Sequence, residues 1–267
     1  MDHDSVIDIA CRDLDYANCV RDHLKAVEEN QLGTKASADG VLFSDSWPNT
    51  YLKLYSNCVA WYRNVHYFGK YRLSTVFLAI DILYELFGRW AIVGGGIPLI
   101  CSALLSLCSK IEEVGLVKSS QFCKVYGASR PGHEITSREI GRMELMILRC
   151  IDWRCLVPTR YNFVACCQAP EFTRQTASEI LMHVASSVEL KRHKNSEVAV
   201  VAVVVANHIS DRATSRGLIK GLVPRPEQTL PPIFAKLRNR IMTLGLPEVA
   251  NICKKIEHLD IMTCLIV

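Results

Sequence analysis

The chain has 267 residues, of which 49% are hydrophobic, 22% charged and 8% aromatic, the composition of a globular protein and not of a disordered or collagen-like one. Its 31 basic and 27 acidic residues are interspersed and leave a net charge of +4, so no electrostatic footprint for nucleic acid is expected. The 12 cysteines include no C-x-x-C pair and no His at ligand spacing; no metal or other cofactor is expected, and the thiols read as small buried residues of a reducing compartment.

The N-terminus, MDHDSVIDIA, is acidic and has neither the basic nor the long apolar region of a signal peptide. An intracellular protein is expected. Apolar residues recur with helical period nearly everywhere, which predicts an all-α fold. A polar helix over residues 16–30, with Val20, Leu24 and Val27 on one face, precedes a loop rich in Gly, Ser and Asp over 33–49. Next come a helix over 51–65 with Leu54, Cys58, Trp61 and Val65 on one face, and one over 75–87 closed by Gly88.

From Trp90 to Ser109 no charge occurs, about the length of a membrane span. Gly94, Gly95, Gly96 and Pro98 interrupt it, so the expectation is a turn followed by a buried helix over 97–110, too short to cross a membrane. A short helix over 120–126 follows. The next opens on Thr136-Ser-Arg-Glu139, a capping box, and turns Ile140, Met143, Ile147, Cys150 and Ile151 inward.

After Pro158 the order repeats. A short helix over 160–167 is followed by one carrying Ala177, Ile180, Leu181, Val184 and Val188, then by an apolar helix over 197–208 containing VAVVAVVVA. A loop through Arg225-Pro226 leads to a helix with Ile233, Leu237, Ile241 and Leu244, and a last helix starts at Pro247. A helix apolar all round cannot lie on a surface, so each half is expected to wrap its other helices around a central one. The domain reading is residues 1–49 as an N-terminal helix and loop, 50–156 as one five-helix unit and 157–267 as a second.

No catalytic constellation is present: G-x-S-x-G, H-E-x-x-H, phosphate-binding loops and cysteine-protease signatures are all missing. A non-catalytic protein is expected. Cys264-Leu-Ile-Val267 has the C-a-a-X form, but without a polybasic run before it or a usual last residue no lipid anchor is expected. Two polar residues stand out. Lys110 ends the apolar helix, where a cation suits the helix dipole, and Glu144 sits beside the apolar stripe of the capping-box helix. One donor and one acceptor at the margins of packed helices suit a directional interface with another backbone.

These residues also carry a resemblance. LYSNCVAWYRNV from Leu54, TVFLAIDILYELF from Thr75 and IPLICSALLSLCSKIEE from Ile97, continued by FCKVYGAS, REIGRMELMILRCIDW and VPTRYNF, resemble the cyclin box and are most similar to its D-type branch and virus-encoded relatives. The resemblance implies a tandem cyclin fold and an activating subunit, without chemistry of its own, in a heterodimer with a cyclin-dependent kinase whose substrates are proteins. It implies that Lys110 and Glu144 hold the backbone of the kinase's regulatory helix, bordered by Ile111, Leu148 and Trp153. No nucleic-acid or membrane partner is expected.

The departures are specific. Where the family carries Met-Arg-x-Ile-Leu before a Trp, the chain has Leu54-Tyr55-Ser56-Asn57-Cys58 before Trp61, a degenerate form of the substrate-docking patch. The Asp-Arg pair usual in the second helix is Tyr84-Glu85, and extra residues near 130–133 lengthen a loop. No Leu-x-Cys-x-Glu motif stands near the N-terminus and no Pro/Thr-rich acidic tail follows the last helix, a combination that resembles virus-encoded members. A cyclin-fold adaptor that binds without activating is the alternative function.

Overall fold

The computed structural model describes Lys25 and residues 47–69, 71–90, 92, 96–113, 135–167, 169–209 and 226–244. Among the described residues there are eight α-helices, one 3-10 turn and no strand. The expected helices over 16–30, over 120–126 and from Pro247 lie outside the described residues, as do Gly94, Gly95 and most of the 33–49 loop. The described residues from 47 onward divide into two compact units between Val157 and Pro158.

The first unit contains α1 (Asn49–Gly69), α2 (Leu73–Arg89), α3 (Ile97–Glu112) and α4 (Ser137–Cys150). Pro98 lies in the first turn of α3, where its missing N–H loses no hydrogen bond. From Ile100 to Ser109 every residue of α3 is buried. Helices α2 and α4 pack against it, and Tyr62 of α1 donates its hydroxyl to the Cys101 carbonyl at 3.1 Å. In α4, by contrast, only Ile140, Glu144 and Ile147 are buried, one stripe of an amphipathic helix. Its expected capping box is formed: the Thr136 hydroxyl accepts from the Glu139 N–H at 3.3 Å, and the Glu139 carboxylate accepts from the Thr136 N–H at 2.8 Å.

The inward face of α1 differs from the expected one. Tyr55, Cys58, Val59, Tyr62 and Val65 are buried, while Leu54 and Trp61 are only half-buried. The two tyrosines carry the rotation, because a phenol ring buries a large apolar body whatever its hydroxyl does. Tyr55 joins Trp47, Tyr84 and Phe87 in an aromatic cluster with ring separations between 5.5 and 6.0 Å.

The second unit contains α5 (Arg160–Ala165), α6 (Glu171–Val184), the 3-10 turn Leu190–Arg192, α7 (Asn195–Ile209) and α8 (Pro226–Leu244). Thr159 and Asn162 form a second capping box at the start of α5. Helix α7 is buried without interruption from Val198 to Asn207 and packs against α5, α6 and α8, so it holds the central place that its all-round apolar character requires. Each fully buried valine there contributes roughly 1.5–3 kcal/mol. Helix α6 ends at Val184, leaving Val188 in a half-buried turn. Helix α8 starts at Pro226 and runs through Pro231 and Pro232, held by the buried stripe Leu230, Ile233, Phe234, Leu237 and Ile241. Among the described residues no helix is long and apolar enough to cross a membrane.

Candidate functional site

Lys110 stands in the last turn of α3, directly after the buried run, and Glu144 faces it from the middle of α4. The ammonium lies 2.7 Å from Oε1 and 2.6 Å from Oε2 of the carboxylate. The two partners differ in exposure, the lysine side chain at 44% and the glutamate side chain at 11%. An ammonium has three donors and a carboxylate about four acceptor sites. Two donors are engaged within the pair, so it can still present one N–H and further lone pairs outward. That is the complement of a peptide backbone, which offers one acceptor and one donor per residue.

Ile111 and Leu148 flank the pair, both half-buried. Trp153 and Leu156 follow α4 in coil and are 61% and 72% exposed, large apolar surfaces left to water. Leu145 and Met146 on α4 are exposed as well. The end of α4 presents Trp153 through two consecutive residues in the left-handed region, Asp152 at φ 53° and Trp153 at φ 60°. Such a conformation disfavours bulky L-residues by about 1–2 kcal/mol each. The Trp153 N–H closes the turn on the Leu148 carbonyl at 2.8 Å.

Arg89, from the last turn of α2, fixes this turn from outside. Its Nη1 donates to the Cys150 carbonyl at 3.1 Å and to Asp152 Oδ2 at 2.9 Å, and its Nη2 pairs with Glu85 at 2.7 Å. The sequence reading missed Arg89, and no local signal joins it to a residue 63 positions on. Glu113 was also missed as a structural residue. Its Oε1 accepts from the Arg72 N–H at 2.9 Å and from the Thr75 hydroxyl at 2.6 Å. It therefore caps α2 and secures the end of α3 on which Lys110 stands.

The degenerate docking residues do not share one surface. Asn57 is exposed, Leu54 and Trp61 are half-buried, and Tyr55 and Cys58 are in the core. Tyr55 is taken inward by its aromatic neighbours, and Cys58 lies against Cys101 of α3. The Cys101 thiol, hydrogen-bonded to Cys58, lowers the Cys58 pKa against the opposing effect of burial. The same contact, with burial, raises that of Cys101. Burial likewise raises Cys108. Among the described residues the cysteines are free, and no cluster of His, Cys, Asp and Glu is placed to hold a metal ion.

Residues 22–155 match the family described as Cyclin, N-terminal domain. The chain is 32% identical over 110 residues to Cyclin-D1-1 of Arabidopsis thaliana, covering 40% of this chain and 31% of that one. It is 23% identical over 167 residues to Cyclin-D4-2 of Oryza sativa subsp. japonica, covering 58% and 43% respectively. The chain thus spans less than half the length of these curated relatives. Among solved structures it is similar to a chain in the crystal structure of the yeast RNA Pol II CTD kinase CTDK-1 complex, with TM-score 0.54 and 12% identity over 80% of this chain and 76% of that one. At that identity the likeness is one of fold.

Proposed function

The chain belongs to the cyclin family and has the tandem cyclin fold, and on that premise we propose that it is the activating partner of a cyclin-dependent Ser/Thr kinase of the G1 type, promoting cell-cycle progression in nucleus and cytoplasm. The observation that carries this reading is the Lys110–Glu144 couple, open to solvent on the lysine side, on the same helix pair whose C-terminal end is followed by exposed Trp153 and Leu156. Lys110 donates to a carbonyl of the kinase's regulatory helix and Glu144 accepts from an N–H, while Trp153, Leu156 and Leu148 bury apolar surface. Held this way, the kinase helix turns inward and its glutamate pairs with the ATP-binding lysine. The kinship with two D-type chains supports the G1 type. With Tyr55 and Cys58 in the core, protein substrates reach the kinase without a full α1 docking patch.

Co-expression with a panel of cell-cycle and transcriptional kinases tests the proposal, scoring co-purification and phosphorylation of a protein substrate. Lys110→Ala and Glu144→Ala are each expected to abolish both, since removing one side of a buried polar contact costs about 2–5 kcal/mol of binding. Binding without activity would identify an adaptor instead. Absence of binding to every kinase would overturn the proposal.

A further inference from the structure

The turn that ends α4 is unfavourable for the free chain on two counts. Asp152 and Trp153 both lie in the left-handed region, at φ 53° and 60°, where residues other than glycine are disfavoured. The turn also carries the indole of Trp153 out into water, mostly exposed. A helix needs only one left-handed residue to stop, and an apolar ring gains nothing from solvent. A backbone of this kind persists only where its surroundings impose it.

Part of the constraint is backbone. The Trp153 N–H donates to the Leu148 carbonyl at 2.8 Å, the Asp152 N–H to that of Arg149 at 3.3 Å and the Arg154 N–H to that of Ile151 at 3.0 Å. The Cys150 carbonyl, at the last residue of α4, is taken by Arg89 of α2, whose Nη1 donates to it at 3.1 Å and to Asp152 Oδ2 at 2.9 Å. One nitrogen thus holds the turn both before the left-handed pair and within it. Glu85, one turn back on α2, holds Nη2 at 2.7 Å and so orients the guanidinium from behind. Glu85 is among the departures from the family pattern, and Arg89 is what neutralises it. The Asp152 carboxylate is exposed and also lies 3.4 Å from Arg154 Nη2, so the attraction of Arg89 for it is screened by water. What Arg89 adds is direction: a planar fork spans a carbonyl and two carboxylates at once, which a single ammonium does not.

We infer that Arg89 is a positioning residue for the partner: by holding Cys150 and Asp152 it keeps Trp153 in the orientation in which the kinase receives it. The inference rests on the kinase reading, in which Trp153 belongs to the interface. A ring held in place before contact binds without a further ordering cost, and a ring free to swing loses that advantage.

The test uses the full chain. In the free protein, hydrogen exchange is followed by NMR at the Trp153 amide and, as a reference for the fold, at Leu104 in buried α3. Arg89→Met is expected to speed exchange at Trp153 at least about tenfold more than at Leu104, a local opening of the turn. Affinity for a kinase that co-purifies with the wild type is then measured for Arg89→Met, Trp153→Ala and the double variant. Arg89→Met is expected to weaken binding about tenfold, and by no more than about twofold when Trp153→Ala is already present, because Arg89 acts through the ring. Asp152→Asn, at an exposed side chain, loosens the same contact from the other end and is expected to cost about threefold in binding, again only while Trp153 is present; it decides the matter should Arg89→Met fail to fold. A loss of the same size with and without Trp153, unchanged exchange at its amide, or unchanged binding by the variants would each overturn the inference alone. A wild type that binds no kinase would overturn the kinase reading and this inference with it.

Discussion

Tyr55 and Tyr84 meet edge to face in the first unit, their ring centroids 6.0 Å apart at an interplanar angle of 68°. They occupy two of the positions at which the sequence departs from the family pattern, Tyr55 in place of an Arg and Tyr84 in place of an Asp. The two departures thus meet in space, and packed rings join α1 to α2 where the family resemblance implies an Arg and an Asp. Both rings also rest on Trp47, at 5.9 and 5.5 Å.

Reverting one member alone is expected to destabilise the protein. Tyr55→Arg places an unpaired guanidinium among aromatic rings, at a cost of roughly 3–5 kcal/mol. Tyr84→Asp, at a half-buried position, costs less. The double variant is expected to recover at least about 1 kcal/mol relative to the sum of the two, a coupling measurable by urea unfolding. Simple additivity would show that the two positions are independent.

The Lys110–Glu144 pair is expected to respond unequally to its two truncations. Lys110→Ala leaves an almost buried carboxylate without its ammonium, whereas Glu144→Ala leaves an ammonium that water already reaches. Lys110→Ala is therefore the more destabilising, by about 1 kcal/mol once the exposure of the lysine is allowed for. Thermal unfolding of the two variants in the same buffer checks the order. The reverse order would mean that Glu144 stabilises the fold by packing more than by charge.

Features written in a single run of sequence were readable before the structure. An uninterrupted apolar helix can only be central, which located α3 and α7, and Thr136 to Glu139 is a local code that forms as written. The face of α1 was misjudged because tyrosines count as polar in a periodicity reading but pack as aromatic bodies. The loop read through Arg225-Pro226 is shorter than its sequence suggests, since α8 already starts at Pro226 and its apolar stripe carries it through Pro231 and Pro232, residues that normally interrupt a helix. Lys110 and Glu144 were singled out from sequence. Their direct contact was not foreseen, nor were Glu113 on Arg72 and Arg89 on Asp152, since nothing local encodes a partner 34 to 63 residues away.

Trp153 sits in a backbone conformation that suits glycine and exposes most of its ring. Trp153→Gly is therefore expected to raise the stability of the free chain, or leave it level, by about 0–1 kcal/mol. The same substitution is expected to weaken kinase binding at least about tenfold, because a large apolar anchor is lost. Calorimetry on the free chain and co-purification with the kinase separate the two effects. A clear loss of stability would show that the ring serves the fold and not the interface.

The pKa of His193 is lowered by burial first, then by Lys236, Arg160 and Arg192. Below its ordinary value of about 6.5 the unfolded chain therefore binds more protons at this ring than the folded one. Stability from this group is fully present above about pH 6.5 and is lost as pH falls through the lowered folded value. Replacing the ring by Gln removes the dependence, so the difference between wild type and His193→Gln in urea unfolding at about pH 7.5 and about pH 5.5 isolates it. Lys236→Met, which removes one of the causes, is expected to leave a smaller acid loss than wild type. Equal pH slopes in all three proteins would mean that the ring is protonated in the folded state, and that the 3.0 Å contact with Lys236 opens in solution.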